Sequence, residues 1–267
     1  MKPTDVDVAI KAASAGADVV TSTYGGSSTR FAKSPTDFAT QTDIDTEKAI
    51  VGVLTEHRPD DARTGEELGS VGNDAAVRRW FVDPLCGTLN FAAGTPLVAV
   101  NVALFAGATP LAAAVADPVA GELFWTDGTA AYRRWKDDDQ LLQPTSRSGL
   151  IDINCDGPLD RPFVGGQLVS DPRLRAAYGP RVISSTLGVA WVAAGRRAAY
   201  ISDGAFRDNL HFAAGIALCE ASGCVISDLD GNPLHTDRGL VISADQETHD
   251  RVLALVEPHL RAVRSSA

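Results

Sequence analysis

The stretch from Leu97 to Trp125 constrains the fold most. An apolar run from Leu97 to Phe105 is followed by turn residues from Gly107 to Pro110 and by two further short runs, Leu111 to Ala116 and Glu122 to Trp125. Runs of this length punctuated by Gly and Pro read as consecutive strands joined by tight turns, an antiparallel meander. The sequence before it has a different period. Thr4 with Asp7 makes a capping box, and Ile10, Ala13, Ala17 and Val20 recur at helical spacing up to Gly25-Gly26. Thr42 or Asp43 caps a second helix, with Ile44, Val51 and Leu54 on one face before Pro59, which sets Asp43 and Asp45 at the helix's positive end. Arg79-Trp80-Phe81-Val82 reads as a short buried strand stopping at Asp83-Pro84, because proline cannot donate to a ladder. Helix pairs beside antiparallel strand runs predict a mixed α/β (α+β) fold of layered sheets and helices rather than a doubly wound parallel sheet.

The periodicity weakens from about residue 135 to 180 into Pro, Gly and Asp-rich segments, which reads as a join between two halves. Beyond it the sequence predicts a strand at Val182 to Ser185, a helix from Thr186 to Ala194 and a strand from Ala198 to Ser202. A helix from about Leu210 to Gly223 and a final helix capped by Ser243 with Gln246 complete the pattern. We expect residues 1–145 to form an N-terminal α+β half, residues 146–267 to form a C-terminal α/β half closing a cleft, and the two to make one compact structural unit.

Charge excludes some function classes. With 24 Lys and Arg against 34 Asp and Glu the chain carries a net charge of -10, and its basic residues form only isolated pairs, so a nucleic-acid surface is not expected. No apolar run approaches the roughly 20 residues of a membrane span. The start Lys2-Pro3-Thr4-Asp5 lacks the apolar stretch of a signal peptide, and the four cysteines have no Cys-x-x-Cys spacing. A cytoplasmic protein is the expectation. His57, His235, His249 and His259 are scattered at helix ends or turns and read as solvated side chains.

Four segments carry the chemistry, in this order: Lys33 with Asp37 and Thr42-Asp43; Gly65-Glu66-Glu67; the run from Trp80 through Asp83-Pro84-Leu85-Cys86-Gly87-Thr88 to Asn90-Phe91; and Phe212-Ala213-Ala214-Gly215 with Glu220-Ala221-Ser222-Gly223. In their order and spacing these segments resemble the inositol monophosphatase family. The resemblance implies a layered αβαβα sandwich of the inositol monophosphatase and fructose bisphosphatase type, and a metal-dependent phosphomonoesterase acting on a small sugar, cyclitol or related metabolite phosphate. It assigns Glu66, Asp83 and the Leu85 carbonyl to one Mg²⁺, with Asp43 and Thr88 orienting the attacking water and Glu66 counted among the catalytic residues. Gly87 and Thr88 would present N–H groups to phosphate, and Asp203 and Arg207 fall where the substrate-contacting segment lies. It also implies a homodimer and a small-molecule phosphate as partner, with no nucleic acid and no membrane.

Leu210-His211 replaces the family's Trp-Asp, the helix after it is one residue shorter before Glu220-Ala221, and two departures bear on the metals. Cys86 and His211 stand where the family has aspartates that hold a second metal. If both ligate, an Asp-Cys-His set with Asp83 would suit Zn²⁺ or Mn²⁺ better than Mg²⁺. Otherwise Cys86 is a protonated small residue, His211 is a helix-start histidine bonded to a backbone group, and the second metal is lost; Asp208 is then a carboxylate that could take the vacated place. Cys86 also reads as a nucleophile, since a thiol at a helix N-terminus beside a cation has a lowered pKa. The same fold could instead serve different chemistry on a small metabolite, or a catalytically dead binding or regulatory protein.

Overall fold

The computed structural model describes residues 2–34, 37–73, 75–157, 159, 161–204, 206, 209–234 and 238–265. In chain order the first elements are α1 (Asp5–Thr23), β1 (Arg30–Ala32), β2 (Phe38–Thr40), α2 (Gln41–His57), β3 (Ala62–Gly65), β4 (Ser70–Val71), β5 (Arg78–Cys86) and α3 (Thr88–Ala92). The meander follows as β6 (Ala99–Ala106), β7 (Thr109–Asp117), β8 (Glu122–Thr126), β9 (Ala131–Trp135) and β10 (Asp138–Leu141). Then come β11 (Leu150–Ile153), α4 (Val164–Ser170), α5 (Pro172–Ala177), β12 (Gly179–Val182), α6 (Leu187–Ala193) and β13 (Ala199–Ser202). The chain closes with α7 (Leu210–Ser222), β14 (Val225–Ser227), β15 (Leu240–Ser243) and α8 (Gln246–Ser265).

These elements divide into two compact units. The first comprises Met1–Leu141 with Ser185–Leu187 and Leu210–Ala221; the second comprises Leu142–Ser184, Gly188–Asn209 and Ser222–Ala267.

In the first unit an eight-stranded sheet runs in the order β10-β9-β8-β7-β6-β5-β3-β4, with β3 and β5 parallel and the other pairs antiparallel. Val8, Ala12, Ile50 and Leu54 from α1 and α2 pack with Trp80, Val82, Val100 and Val102 from the sheet in one buried cluster. Each such buried Leu or Ile side chain is worth about 1.5–3 kcal/mol, so this helix-on-sheet layer is what fixes the strands that carry the site. The Thr4–Asp7 capping box starts α1 as the sequence predicts.

In the second unit five strands run β12-β11-β13-β15-β14, with β11 parallel to both neighbours and β15 antiparallel to both of its own. Ile151, Ile153, Ile201 and Val241 of this sheet cluster with Leu168 of α4, Leu174 of α5 and Val252 and Val256 of α8. Among the described residues no helix is long and apolar enough to cross a membrane.

Several local expectations need correction. The cap of α2 is Thr40, two residues earlier than expected, because Asp43 at N3 reaches back to the Thr40 N–H and hydroxyl. β5 does not stop at Pro84; the ladder to β6 shifts register between Asp83 and Cys86, and that irregularity lets the strand pass a residue with no N–H. The strand expected at Val182 to Ser185 lies earlier, at Gly179–Val182, beside β11. At the start of α8 it is the Asp245 carboxylate, not Ser243, that accepts the Thr248 N–H, at 2.8 Å. Three histidines read as solvated are engaged, and of these His57 Nε2 lies 2.8 Å from Lys11 Nζ. His249 is buried between Ser227 (2.9 Å) and Ser243 (3.2 Å), and burial pushes its pKa down. His259 pairs with Asp171 at 2.6 Å. His235 lies outside the described residues.

Candidate active site

The helix cap of α2 delivers the first acidic group. Thr40 donates its N–H (2.8 Å) and hydroxyl (2.5 Å) to Asp43 Oδ2, while Asp43 Oδ1 accepts the Thr88 hydroxyl at 2.9 Å. The same hydroxyl lies 3.2 Å from the Leu85 carbonyl, so Asp43, Thr88 and Leu85 form one hydrogen-bonded chain. Burial of Asp43 raises its pKa, against the hydrogen bonds from Thr40 and Thr88 that lower it. Gly87, just before α3, holds φ 99°, a left-handed turn that a side chain would strain.

One turn along α2, Glu47 does something the sequence reading missed. It is fully buried, and its carboxylate accepts the N–H groups of Glu67 (2.6 Å) and Leu68 (3.0 Å). A Cβ at Gly65 would lie 1.8 Å from Glu47 Oε1, so only glycine lets the loop come this close. Glu47 thereby clamps the turn that presents Glu66. Its signal was available: it sits four residues after Asp43 on the buried face of α2, where a charge without a task is costly.

Glu66 and Asp83 supply the carboxylates of the cluster. The Glu66 N–H bonds the Val82 carbonyl at 3.2 Å, tying the loop to β5. Lys33 donates to Glu66 Oε1 at 2.8 Å and to Glu67 Oε1 at 2.5 Å. Asp83 is fully buried on β5, in register with Asn101 of β6, whose amide donates to Asp83 Oδ2 at 3.3 Å and to the Thr186 hydroxyl at 2.9 Å. Its other oxygen, Oδ1, is buried without a hydrogen-bond partner.

His211, in the first turn of α7, completes the group. Its Nδ1 lies 2.9 Å from Asp83 Oδ2 and 3.8 Å from Glu66 Oε2. Ligating atoms of Glu66, Asp83 and His211 all fall within 4.8 Å of one another. Burial and the Asp83 charge push Glu66 up to about 7, although His211 and Lys33 pull the other way. Burial works against a charge on His211, yet Asp83 and Glu66 overcome it and raise the imidazolium to about 9. An orphaned carboxylate oxygen, two crowded acids and an imidazole nitrogen fit a divalent cation: it would satisfy Oδ1 and relieve the repulsion that raises Glu66.

The inositol monophosphatase family profile matches residues 2–261 of this sequence. The chain belongs to the inositol monophosphatase family. An inositol-1-monophosphatase from Mesorhizobium japonicum is 33% identical over 236 residues, 86% of each chain. The Nus factor SuhB of Pseudomonas aeruginosa is 30% identical, over 85% of this chain and 86% of its own. Among solved structures, the suhB protein of Bartonella henselae superposes with a TM-score of 0.82 at 24% identity, covering 94% of this chain and 97% of the other. A Thermotoga maritima IMPase gives 0.82 at 20% identity, covering 96% and 98%. These likenesses establish the family's layered α/β fold.

Against the family pattern the two substituted positions behave differently. His211 joins the carboxylate cluster, its Nδ1 2.9 Å from Asp83 Oδ2. Cys86 is not among the three clustered ligands: its Sγ accepts the Thr186 N–H at 3.3 Å, and burial followed by the Asp83 charge pushes the thiol well above its ordinary range. Asp203 caps α4, accepting the N–H groups of Val164 (2.6 Å) and Gly165 (2.8 Å) with its two oxygens. Arg207 and Asp208 lie outside the described residues.

Proposed function

We propose that the chain is a metal-dependent phosphomonoesterase for a small cyclitol, sugar or related metabolite phosphate. The observation that carries this is the convergence of Glu66, Asp83 and His211 within 4.8 Å, next to an orphaned Asp83 oxygen. A phosphate monoester dianion repels a nucleophile, so a site for hydrolysis needs fixed acids that gather a cation and a group that aims water. Glu66, Asp83 and the Leu85 carbonyl would hold the ion, which when bound supplies positive charge at the phosphoryl oxygens and lowers the pKa of water.

The chain's own residues do the rest. Thr88 gives its hydroxyl proton to Asp43, which leaves the hydroxyl oxygen to accept a hydrogen from a water molecule. The water oxygen then forms a bond to phosphorus as the bond to the substrate's alkoxy oxygen breaks, and the departing alkoxide takes a proton from solvent water. The water proton passes through Thr88 toward Asp43, whose burial makes it a better base. We place the phosphate at the Gly87–Thr88 turn. The family resemblance further supports a cytoplasmic homodimer, and the net charge of -10 supports small molecules over nucleic acid as partners.

Phosphate release from a panel of alkyl and aryl monoesters with Mg²⁺, Mn²⁺ and Zn²⁺ tests the reading. Thr88→Ala should lower kcat by about 10²- to 10⁴-fold, the usual share of a proton-transfer group. Absence of release from every monoester with every ion overturns it and favours a binding role. Light scattering of the purified chain tests the homodimer.

A further inference from the structure

We infer that His211 is itself a metal ligand, so that Glu66, Asp83 and His211 make a zinc-class divalent site rather than a magnesium site. This rests on reading the cluster as a metal site and adds the class of ion it selects. Two ligand atoms on a tetrahedral ion with bonds of about 2.0–2.1 Å stand about 3.3 Å apart. His211 Nδ1 lies 2.9 Å from Asp83 Oδ2 and 3.8 Å from Glu66 Oε2, which brackets that separation. Ligand atoms of all three residues fall within 4.8 Å of one another, so an ion held by the two carboxylates meets the imidazole nitrogen, which must either ligate it or turn away.

The surroundings orient these donors. The Asn101 amide steadies Asp83 through Oδ2 at 3.3 Å, and Lys33 takes Glu66 Oε1 at 2.8 Å, leaving Oε2 on the side of His211. Outer hydrogen bonds of this kind fix ligand direction in metal sites. Asp83 Oδ1, fully buried and without a hydrogen-bond partner, is the further acceptor that a cation would satisfy.

Donor chemistry decides the ion. Mg²⁺ demands oxygen ligands in near-ideal octahedral geometry and keeps several waters, so it gains little from an imidazole. Zn²⁺ binds histidine nitrogen and carboxylate oxygen readily and takes three protein ligands with an open fourth position in its catalytic sites. Two carboxylates and one imidazole meet that pattern without Cys86, which accepts the Thr186 N–H, and with the Leu85 carbonyl left to the Thr88 hydroxyl rather than to the ion.

The test uses the full chain labelled with ¹⁵N-histidine, titrated with Zn²⁺ and ¹¹³Cd²⁺ and read by long-range ¹H–¹⁵N correlation, with calorimetry for Zn²⁺ and Mg²⁺. Ligation should move the His211 Nδ1 resonance and split it by coupling to ¹¹³Cd. In His211→Asp and His211→Asn the ratio of Zn²⁺ to Mg²⁺ affinity should fall by at least about 10- to 100-fold, the loss seen even for a group that merely supports a ligand. Ion binding with an unmoved His211 Nδ1, or the same affinity ratio in wild type and both variants, overturns the inference. The wild-type spectrum decides even if one variant fails to fold. Coupling at Nδ1 without hydrolysis of any monoester would overturn the proposed function and leave this inference standing, whereas hydrolysis with an ion that leaves Nδ1 untouched would do the reverse.

Discussion

Among the described residues two histidine–aspartate pairs lie close, and they sit in opposite electrostatic conditions. In the second unit His259 Nε2 lies 2.6 Å from Asp171 Oδ2, and Arg173 adds a backbone N–H to Oδ1 and a guanidinium contact to Oδ2, both 2.7 Å. Asp171 caps α5, and the Arg173 hydrogen bond holds its carboxyl well below the usual range. Both oxygens of that acid are satisfied, so the pair behaves as a clasp between α5 and α8. In the first unit His211 lies 2.9 Å from Asp83 Oδ2, but Asp83 keeps an orphaned oxygen and a second acid, Glu66, is pushed up to about 7 by burial and by Asp83 itself. Crowded acids with an unsatisfied oxygen gain from a bound cation; a clasp whose oxygens are both satisfied does not.

Paired neutralisations break or sharpen this contrast. Asp83→Asn should abolish divalent-ion binding and cut phosphate release by at least about 10³-fold, since it removes charge stabilisation worth several kcal/mol. Its metal-free melting temperature should move little, because the loss of the His211 partner is offset by relief of repulsion with Glu66. Asp171→Asn should do the converse, lowering the melting temperature while phosphate release persists. Denaturation and phosphate release on both variants check the pair, and a larger catalytic than structural loss at Asp171 would erase the distinction.

Glu47→Gln comes next in size. One amide oxygen cannot accept both the Glu67 and Leu68 N–H groups as the carboxylate does, so Glu66 loses its aim and ion affinity by calorimetry should fall about 10- to 100-fold. Cys86→Asp is smaller. It returns a carboxylate to the family's position near Asp83, and Mg²⁺ affinity should rise by up to about tenfold, or 1.4 kcal/mol. Alkyl phosphates should gain more than aryl phosphates, whose leaving oxygens need less help; equal gains would count against a leaving-group role for that position.

How far these contrasts were legible in the sequence depends on the range of the interaction. The capping box of α1 and the meander of β6 to β8 are local patterns, and they form as read. β5 carries on through Pro84 because a register shift with β6 absorbs it, and that shift belongs to the partner strand rather than to the local sequence. At the site, the motif order pointed to Glu66, Asp83 and His211, and the structure brings them together. It gave no warning of Asn101 or of Thr186, which reach the site by pairings 18, 85 and 100 residues apart. The choice between His211 as ligand, pair or spectator depends on a contact 128 residues apart, which no spacing rule can read. Lys33 belonged to the motif, but its hold on Glu66 and Glu67 emerges only once the β1–β2 hairpin is formed.

The smallest expected effect is the pH dependence of stability in the metal-free protein, and it separates the two pairs by sign. His211 is raised from 6.5 to about 9, so the folded state binds its proton more tightly and the stabilisation is complete below pH 6.5 and disappears as pH rises through 9. Glu66 is raised from 4.5 to about 7, so folding also takes up a proton there, and stability falls as pH rises from 4.5 to 7. Asp171 is lowered, so its contribution is present throughout this range and fades only as strong acid protonates it. Metal-free wild type should therefore lose stability steadily from pH 5 to pH 9, with the upper part of the slope absent in His211→Asn. Because the imidazole is 40% exposed, solvent screening reduces the His211 share to on the order of 1 kcal/mol. Thermal melts at fixed ionic strength measure it, and saturating metal should flatten the slope, since the ion supplies the positive charge that the protons provided. A slope that survives in His211→Asn with Glu66→Gln would locate the proton uptake elsewhere and remove the electrostatic difference between the two histidine–aspartate pairs.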